Sequence, residues 1–298
     1  MSRFQLSDKA FERINTIFVL VLTLIIIYPL IFVVSASISD PHAVNTGKMW
    51  LWPVDITFDG FKRVFQNEAI WVGYKNTIIY TLVGTSIHLF ILLPCAYALS
   101  RKELMAKKVF LWIILFTMLF NGGLIPTYLV VQGLGMVNTM WAIVIPGVVG
   151  AWSLLVARSF FQQTIPDQLV EASKIDGASD LYLFIKVVLP LSLPIIAVMA
   201  LFHAVALWNQ YFNALIYLTD EELFPLQLIL RQILIINEVS ADSAASAAGA
   251  AQSFADQVKT ASLVKYAVII VSALPLLIVY PFLQRFFVKG VLIGSVKE

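Results

Sequence analysis

Charge is what this sequence has least of. Asp, Glu, Lys and Arg together make up 13% of its 298 residues, about half the share found in a soluble domain. So few charges cannot cover a water-facing surface, which excludes an ordinary soluble fold and leaves an integral membrane protein. Cysteine occurs once, at Cys95, so no internal disulfide exists to report a redox compartment. Only three histidines occur, and neither His88 nor His203 has a carboxylate or cysteine near it at metal-ligand spacing; both read as packing residues in apolar helices. The net charge of +2 is too small to suggest nucleic acid. No GxxxxGK[ST] loop is present, which excludes ATP hydrolysis by that route.

What is present is apolar sequence, 60% of the chain. A membrane-crossing helix needs about 20 mostly apolar residues. Runs without any charge extend from Arg13 to Asp40, Lys75 to Arg101, Lys186 to Asp220 and Lys265 to Arg285. A longer run from Lys108 to Arg158 contains QGLGMVNT at 132–139, which has loop chemistry. Split there, the sequence predicts six spans, at 14–38, 76–99, 109–131, 139–160, 188–217 and 266–286. The run after Arg13 is too long for a signal-peptide core and reads as a retained anchor. Segments 1–13, 101–108, 158–186 and 285–298 carry 13 of the 20 basic residues. The positive-inside rule places them, with both termini, in the cytoplasm.

One cytoplasmic segment has helix punctuation. In TIPDQLVEASKIDG, Thr164 and Asp167 are spaced as a capping box with Pro166 in the first turn, and Gly177 is a C-terminal stop. Ser179 is positioned to cap a second helix, in which Leu181, Tyr182, Phe184, Ile185 and Val188 fall at helical spacing. On spacing alone this helix–glycine–helix unit is either an ordinary cytoplasmic loop or a surface that shows Glu171, Lys174 and Asp176 to a partner.

The letters add to the spacing. Glu171-Ala172-Ser173, Gly177 and Val187-Val188-Leu189-Pro190 resemble the EAA motif (Glu-Ala-Ala, three residues, Gly, nine residues, Ile-x-Leu-Pro) of permease subunits of ATP-binding-cassette (ABC) importers. Ser173 stands for Ala and Val187 for Ile, both conservative departures. LFNGGLIPTYLVVQGLGMVNT, LWNQYFNALIYL and the C-terminal LQRFFVKGVLIGSVK extend the resemblance over nearly the whole chain. They are similar to the maltose-type second permease of carbohydrate importers, and most similar to importers of complex or acidic oligosaccharides.

The resemblance implies an all-α type I importer permease fold with cytoplasmic coupling helices at 164–186. It implies a cytoplasmic N-terminus (1–13), a first transmembrane helix (14–38), a permease core (70–286) and a cytoplasmic tail (287–298). The coupling residues would be Glu171, Ala172, Ser173, Asp176 and Gly177, seated on an ATPase. The implied partners are a second permease, two ATPase subunits carrying ATP and Mg, an external solute-binding protein and membrane lipid, in a bacterial cell membrane. The chain itself would hold no cofactor and would not be an enzyme. A permease for another solute class, such as a peptide or an amino acid, and a secondary transporter are the alternatives. The latter usually needs intramembrane carboxylates, which the six spans lack.

Polar residues inside apolar helices are candidates for a solute pathway. Trp208, Asn209, Gln210, Tyr211 and Asn213 combine aromatic faces with amides, a mixture suited to sugars; the alternative is an interfacial aromatic belt with packing amides. Asn121-Gly122-Gly123 with Pro126 breaks the third span, either lining the pathway or ending the helix. The 40–75 segment carries Trp50, Trp52, Trp71 and the amphipathic FDGFKRVF and is expected on the outer surface. The Ala/Ser-rich stretch 239–257 is either a loop or a short helix.

Overall fold

The computed structural model describes residues 8–235 and 264–281, and every regular element among them is helical. The expectations for 239–257 and for the tail 287–298 lie outside the described residues. Three helices are long and apolar enough to cross a membrane: Ala10–Ser37, Glu68–Ser100 and Val264–Pro281. Two bent pairs bring the count to at most five, namely Lys107–Leu119 with Leu124–Gly133, bent by 116°, and Asp180–Leu191 with Leu193–Trp208, bent by 79°. The six-span count therefore does not hold as six continuous helices. The stretch 139–160 is a single turn at Trp141–Val144, an irregular segment, and then Ala151–Thr164. Pro146 and Gly147, the latter at φ +71°, interrupt it.

The chain divides into two compact units. In the first, residues 1–70 and 230–274, a platform follows the helix that ends at Ser37. The Ser39 hydroxyl donates to the Ser35 carbonyl (2.6 Å) and accepts from the Val54 amide (3.2 Å). Asp40 N–H donates to the Val54 carbonyl (3.0 Å), and Thr57 N–H to the Ile38 carbonyl (2.9 Å). Phe32 and Tyr266 meet edge to face, with ring centroids 6.1 Å apart.

In the second unit, residues 71–229 and 275–298, the core is built on helix Glu68–Ser100. Leu92, Leu93, Ala96 and Leu99 pack with Leu154, Ala157 and Phe161 of Ala151–Thr164, and with Ile195 and Met199 of Leu193–Trp208. The spacings of three and four residues put each set on one helical face.

Much of the chain between these helices is irregular, and side chains satisfy its backbone. Asn76 donates to the carbonyls of Glu222 (2.7 Å) and Phe224 (3.1 Å), Tyr80 donates to that of Leu223 (2.8 Å), and Thr77 accepts from the Leu226 amide (2.8 Å). Gly73, one turn earlier, lets this segment lie against the helix. A Cβ there would stand 2.9 Å from the Leu226 Cα, too close for any other residue without backbone movement. Asn138, at φ +59°, accepts from the amides of Thr219 and Asp220 (3.0 and 2.9 Å).

The broken 139–160 stretch is handled in the same way. His88 is buried, and its Nδ1 meets the carbonyl of Val148 inside the break. A carbonyl only accepts, so Nδ1 carries the proton. The ring of His88 also stacks on that of His203, centroids 4.1 Å apart and planes within 5°. The two histidines are therefore a packed pair rather than separate residues.

His88→Leu removes the donor and leaves a buried carbonyl unpaired. The expected cost is about 1–3 kcal/mol, read as a lower thermal midpoint of the purified protein in detergent. An unchanged midpoint would mean that water meets the Val148 carbonyl.

Candidate functional site

Helix Ala151–Thr164 runs to Thr164 because Leu154, Ala157 and Phe161 hold its buried face in the core. Ile165 precedes a proline and is extended (φ −106°, ψ 96°), as such a residue must be. The capping box expected from Thr164 and Asp167 is thus absent. Thr164 closes one helix, Pro166 occupies the cap position of the next without a side-chain bond, and Asp167–Ile175 follows.

The glycine stop is present in full. Asp176 caps the helix, and Gly177 sits at φ +76°. Gly177 N–H bonds the Lys174 carbonyl (3.1 Å), and Ala178 N–H the Ser173 carbonyl (3.0 Å). These two bonds define a Schellman motif. A Cβ on Gly177 would meet nothing within 4 Å, so backbone conformation and not space selects glycine. The Ser179 hydroxyl then accepts from Tyr182 N–H (3.2 Å), capping the second helix as expected.

That second helix widens into a π-turn at Phe184–Val188, just before Pro190. Proline lacks the N–H that would continue the α-helical ladder and crowds the carbonyl four residues back. The extra width rotates the apolar set. Leu183 and Val188 are buried and Phe184 half-buried, whereas Leu181, Tyr182 and Ile185 remain exposed. The single apolar face expected from the spacing is therefore two faces.

Helix Asp167–Ile175 rests on the bundle through Val170, 2% exposed, and the half-buried Leu169. On the other side charges brace it. Asp167 pairs with Lys102 (2.7 Å) and Arg101 (3.6 Å), Arg101 with Glu103 (3.3 Å), and Lys174 with Glu103 (3.8 Å). The hydrogen bond from Lys102 holds the Asp167 carboxyl below its usual range, and the same bond raises Lys102. Glu103 is held low first by its own backbone N–H and then by Arg101. Beneath the helix lies a cavity of about 640 Å³, with Tyr97, Leu104, Val170 and Phe184 among its apolar lining and Glu103 and Lys174 among its charged lining.

The brace is anchored in turn. Arg158 Nε donates to the Leu99 carbonyl (3.0 Å), and Lys107 Nζ to those of Ser100 (3.1 Å) and Arg101 (2.9 Å). These cations meet the unpaired carbonyls at the C-terminus of Glu68–Ser100, where the helix dipole favours positive charge.

The outer face of Asp167–Ile175 carries Glu171, Ala172 and Asp176, all exposed, with Ser173 half-buried and bonded to the Leu169 carbonyl (2.9 Å). Ile175, which sequence reasoning passed over, is 86% exposed beside them. Its position four residues after Glu171 was the available signal.

The pathway candidates do not form one set. Trp208 is buried and lies near Tyr74, centroids 6.3 Å apart. Asn209 is exposed, and its side chain bonds the Val205 carbonyl (2.9 Å) of its own helix. Tyr211, at the N-cap of helix Phe212–Tyr217, and Asn213 within that helix are half-buried. Asn121 stands in a different break, exposed, accepting from Gly123 N–H (2.9 Å).

Residues 68–293 match the family described as binding-protein-dependent transport system inner membrane component. The polygalacturonan/rhamnogalacturonan transport system permease protein YtcP of Bacillus subtilis is 38% identical over 98% of this chain and 100% of its own length. Protein LplC of the same organism is 37% identical over 98% of this chain and 96% of its own. A chain in the crystal structure of a bacterial ABC transporter involved in the import of the acidic polysaccharide alginate superposes with a TM-score of 0.82 at 34% identity, covering 96% of this chain and 100% of that one. On this likeness over its whole length, the chain belongs to the binding-protein-dependent transport system inner membrane components, as a permease of the ABC importer type.

Proposed function

We propose that this chain forms half of a translocation pathway for oligosaccharides released from an acidic polysaccharide. It would pair with a second, non-identical permease and keep both termini in the cytoplasm. A permease of this family works with an ATPase and a solute-binding protein; here two ATPase subunits would bind the ATP and Mg. The substrate class rests on the likeness to YtcP and to the alginate importer. A sugar-binding screen of the cognate solute-binding protein tests it. Micromolar or tighter binding of an acidic oligosaccharide is the expected result, about 8 kcal/mol of affinity, and selective binding of a peptide or amino acid overturns it.

The observation that carries the coupling role is the outer face of Asp167–Ile175. It puts the acid Glu171, the small Ala172 and the exposed apolar Ile175 on a helix that ends in a fixed Schellman turn at Gly177. The exposed Ile175, with Glu171 one turn before it and Asp176 beside it, gives this face both an apolar and an acidic contact to offer a partner. In this reading the ATPase is that partner, and Glu171 meets one of its basic residues. Asn121, Trp208, Asn209, Tyr211 and Asn213 remain candidates for the solute path, with Trp208 reached only after the helices part.

Gly177→Asp places a side chain in left-handed backbone at a cost of about 1–2 kcal/mol and adds an acid where the ATPase would close. The expected outcome is loss of ATP-driven uptake with normal membrane insertion. Normal uptake by the well-inserted variant overturns the coupling role.

The charge brace has a pH signature. The carboxyl of Asp167 is held low, so its contribution is present above the unfolded value near 4 and lost as pH falls through the lower folded value. Lys102 is raised, so its contribution is present below the ordinary lysine range and is lost only as pH rises through the higher folded value. Amide hydrogen exchange over 167–175 should show protection from neutral pH down to about 4 and its loss below that. In Asp167→Asn the added protection should be missing throughout.

A further inference from the structure

The structure presents an aromatic and basic platform, between the first two spans, for which the transport role has no use. Residues 38–57 are not a free loop. Besides the bonds through Ser39, Asp40 and Thr57, the Ser35 hydroxyl donates to the Leu51 carbonyl (2.6 Å), and Met49 N–H bonds the Ala43 carbonyl (3.0 Å). Asp40 caps the short helix Pro41–Asn45 by accepting from His42 N–H (2.9 Å). The result is a fixed support whose side chains have defined directions.

On this support Trp50 is 73% and Trp52 76% exposed. Helix Asp59–Gln66 follows, with Gly60 and Val64 buried. Its exposed side carries Phe58, Lys62 and Phe65 at spacings of four and three, with Arg63 beside them. An exposed face that mixes indoles, phenylalanines and cations is poorly suited to water and equally poorly suited to the hydrocarbon interior.

A ring contact turns the platform toward the span. Trp50 lies beside Tyr28, with centroids 6.4 Å apart. Tyr28 precedes the end of its helix, Ser37, by nine residues, about 13 Å along the axis. Trp50 therefore reaches back along the span rather than out into solvent. The span Ala10–Ser37 has 28 residues, about 42 Å, against about 30 Å of hydrocarbon. About 12 Å of the span thus lies outside the hydrocarbon, and the platform joins its Ser37 end.

We propose that residues 38–66 form an interfacial anchor. Trp50 and Trp52 insert at headgroup depth at the Ser37 end of the first helix, and Lys62 and Arg63 meet the phosphates of anionic phospholipid. The occupant of this face is the bilayer surface, continuous with the lipid around Ala10–Ser37, whose apolar window is 0% buried within the chain. Indoles favour this layer, where an apolar ring and a donor N–H are both accommodated. Basic residues near an anionic surface are attracted within a Debye length.

The test uses the full-length protein in vesicles whose lipids carry bromine either near the headgroup or at the acyl-chain ends. The emission lost on converting Trp50→Phe with Trp52→Phe is the signal of those two indoles. Bromine near the headgroup should quench that difference emission at least about twofold, and bromine at the chain ends should quench it less. The variant Lys62→Gln with Arg63→Gln keeps both indoles; in it, the extra quenching seen in anionic over zwitterionic vesicles should vanish. Difference emission that ignores brominated lipid and is quenched by aqueous acrylamide overturns the proposal and assigns the face to a protein partner or to water. Strongest quenching by the chain-end bromines overturns it as well.

Discussion

A bilayer offers no water to an unpaired backbone N–H or C=O, so each interruption of a membrane helix must bring its own hydrogen-bonding partners. This chain is interrupted often: at 120–123, 145–150, Ser192 and 209–211. Its main helix, Glu68–Ser100, works as a rack of side chains for irregular backbone. Asn76, Thr77 and Tyr80 take up the segment 222–226, and His88 takes up Val148. At its far end the direction reverses, and Lys107 and Arg158 donate to carbonyls that the helix cannot satisfy itself. Remove that rack and the Val148 carbonyl in the 145–150 break would lose its partner, and the segment 222–226 its hold on the helix.

The elbow around Gly177 obeys a different economy, because its charged side chains are exposed. Its helix is held by one buried residue, Val170, and by ion pairs that solvent can reach. Such pairs orient more than they stabilise. The fixed part is the turn itself, two backbone bonds about a left-handed glycine. With so shallow a root, the helix takes its defined exit from the Schellman turn.

Sequence reading succeeded where the signal is local. Charge-free runs located the three long helices, and Gly177 and Ser179 behave as their chemistry dictates. It failed where one local rule overruled another. Thr164 and Asp167 spell a capping box, but Pro166 forces Ile165 extended and buried Phe161 carries the preceding helix up to Thr164. Leu181, Tyr182 and Ile185 fit a period of 3.6, but the π-turn before Pro190 shifts the register. Pairings across the chain left no trace in the pattern. His88 and His203 are 115 positions apart, and nothing near either one names the other. The burial of Trp208 left no trace either, since its composition matches an exposed aromatic platform while in space it packs beside Tyr74.

The charge-free runs have an electrical meaning as well. A unit charge carried across the membrane field exchanges about 2.3 kcal/mol for each 100 mV. Between Arg13 and Asp40, Lys75 and Arg101, Lys108 and Arg158, Lys186 and Asp220, and Lys265 and Arg285 the chain has no formal charge to move. Rearrangement of these helices displaces almost no gating charge, so the membrane potential neither assists nor resists it. Whatever voltage dependence a transport cycle has does not enter through the apolar runs of this chain.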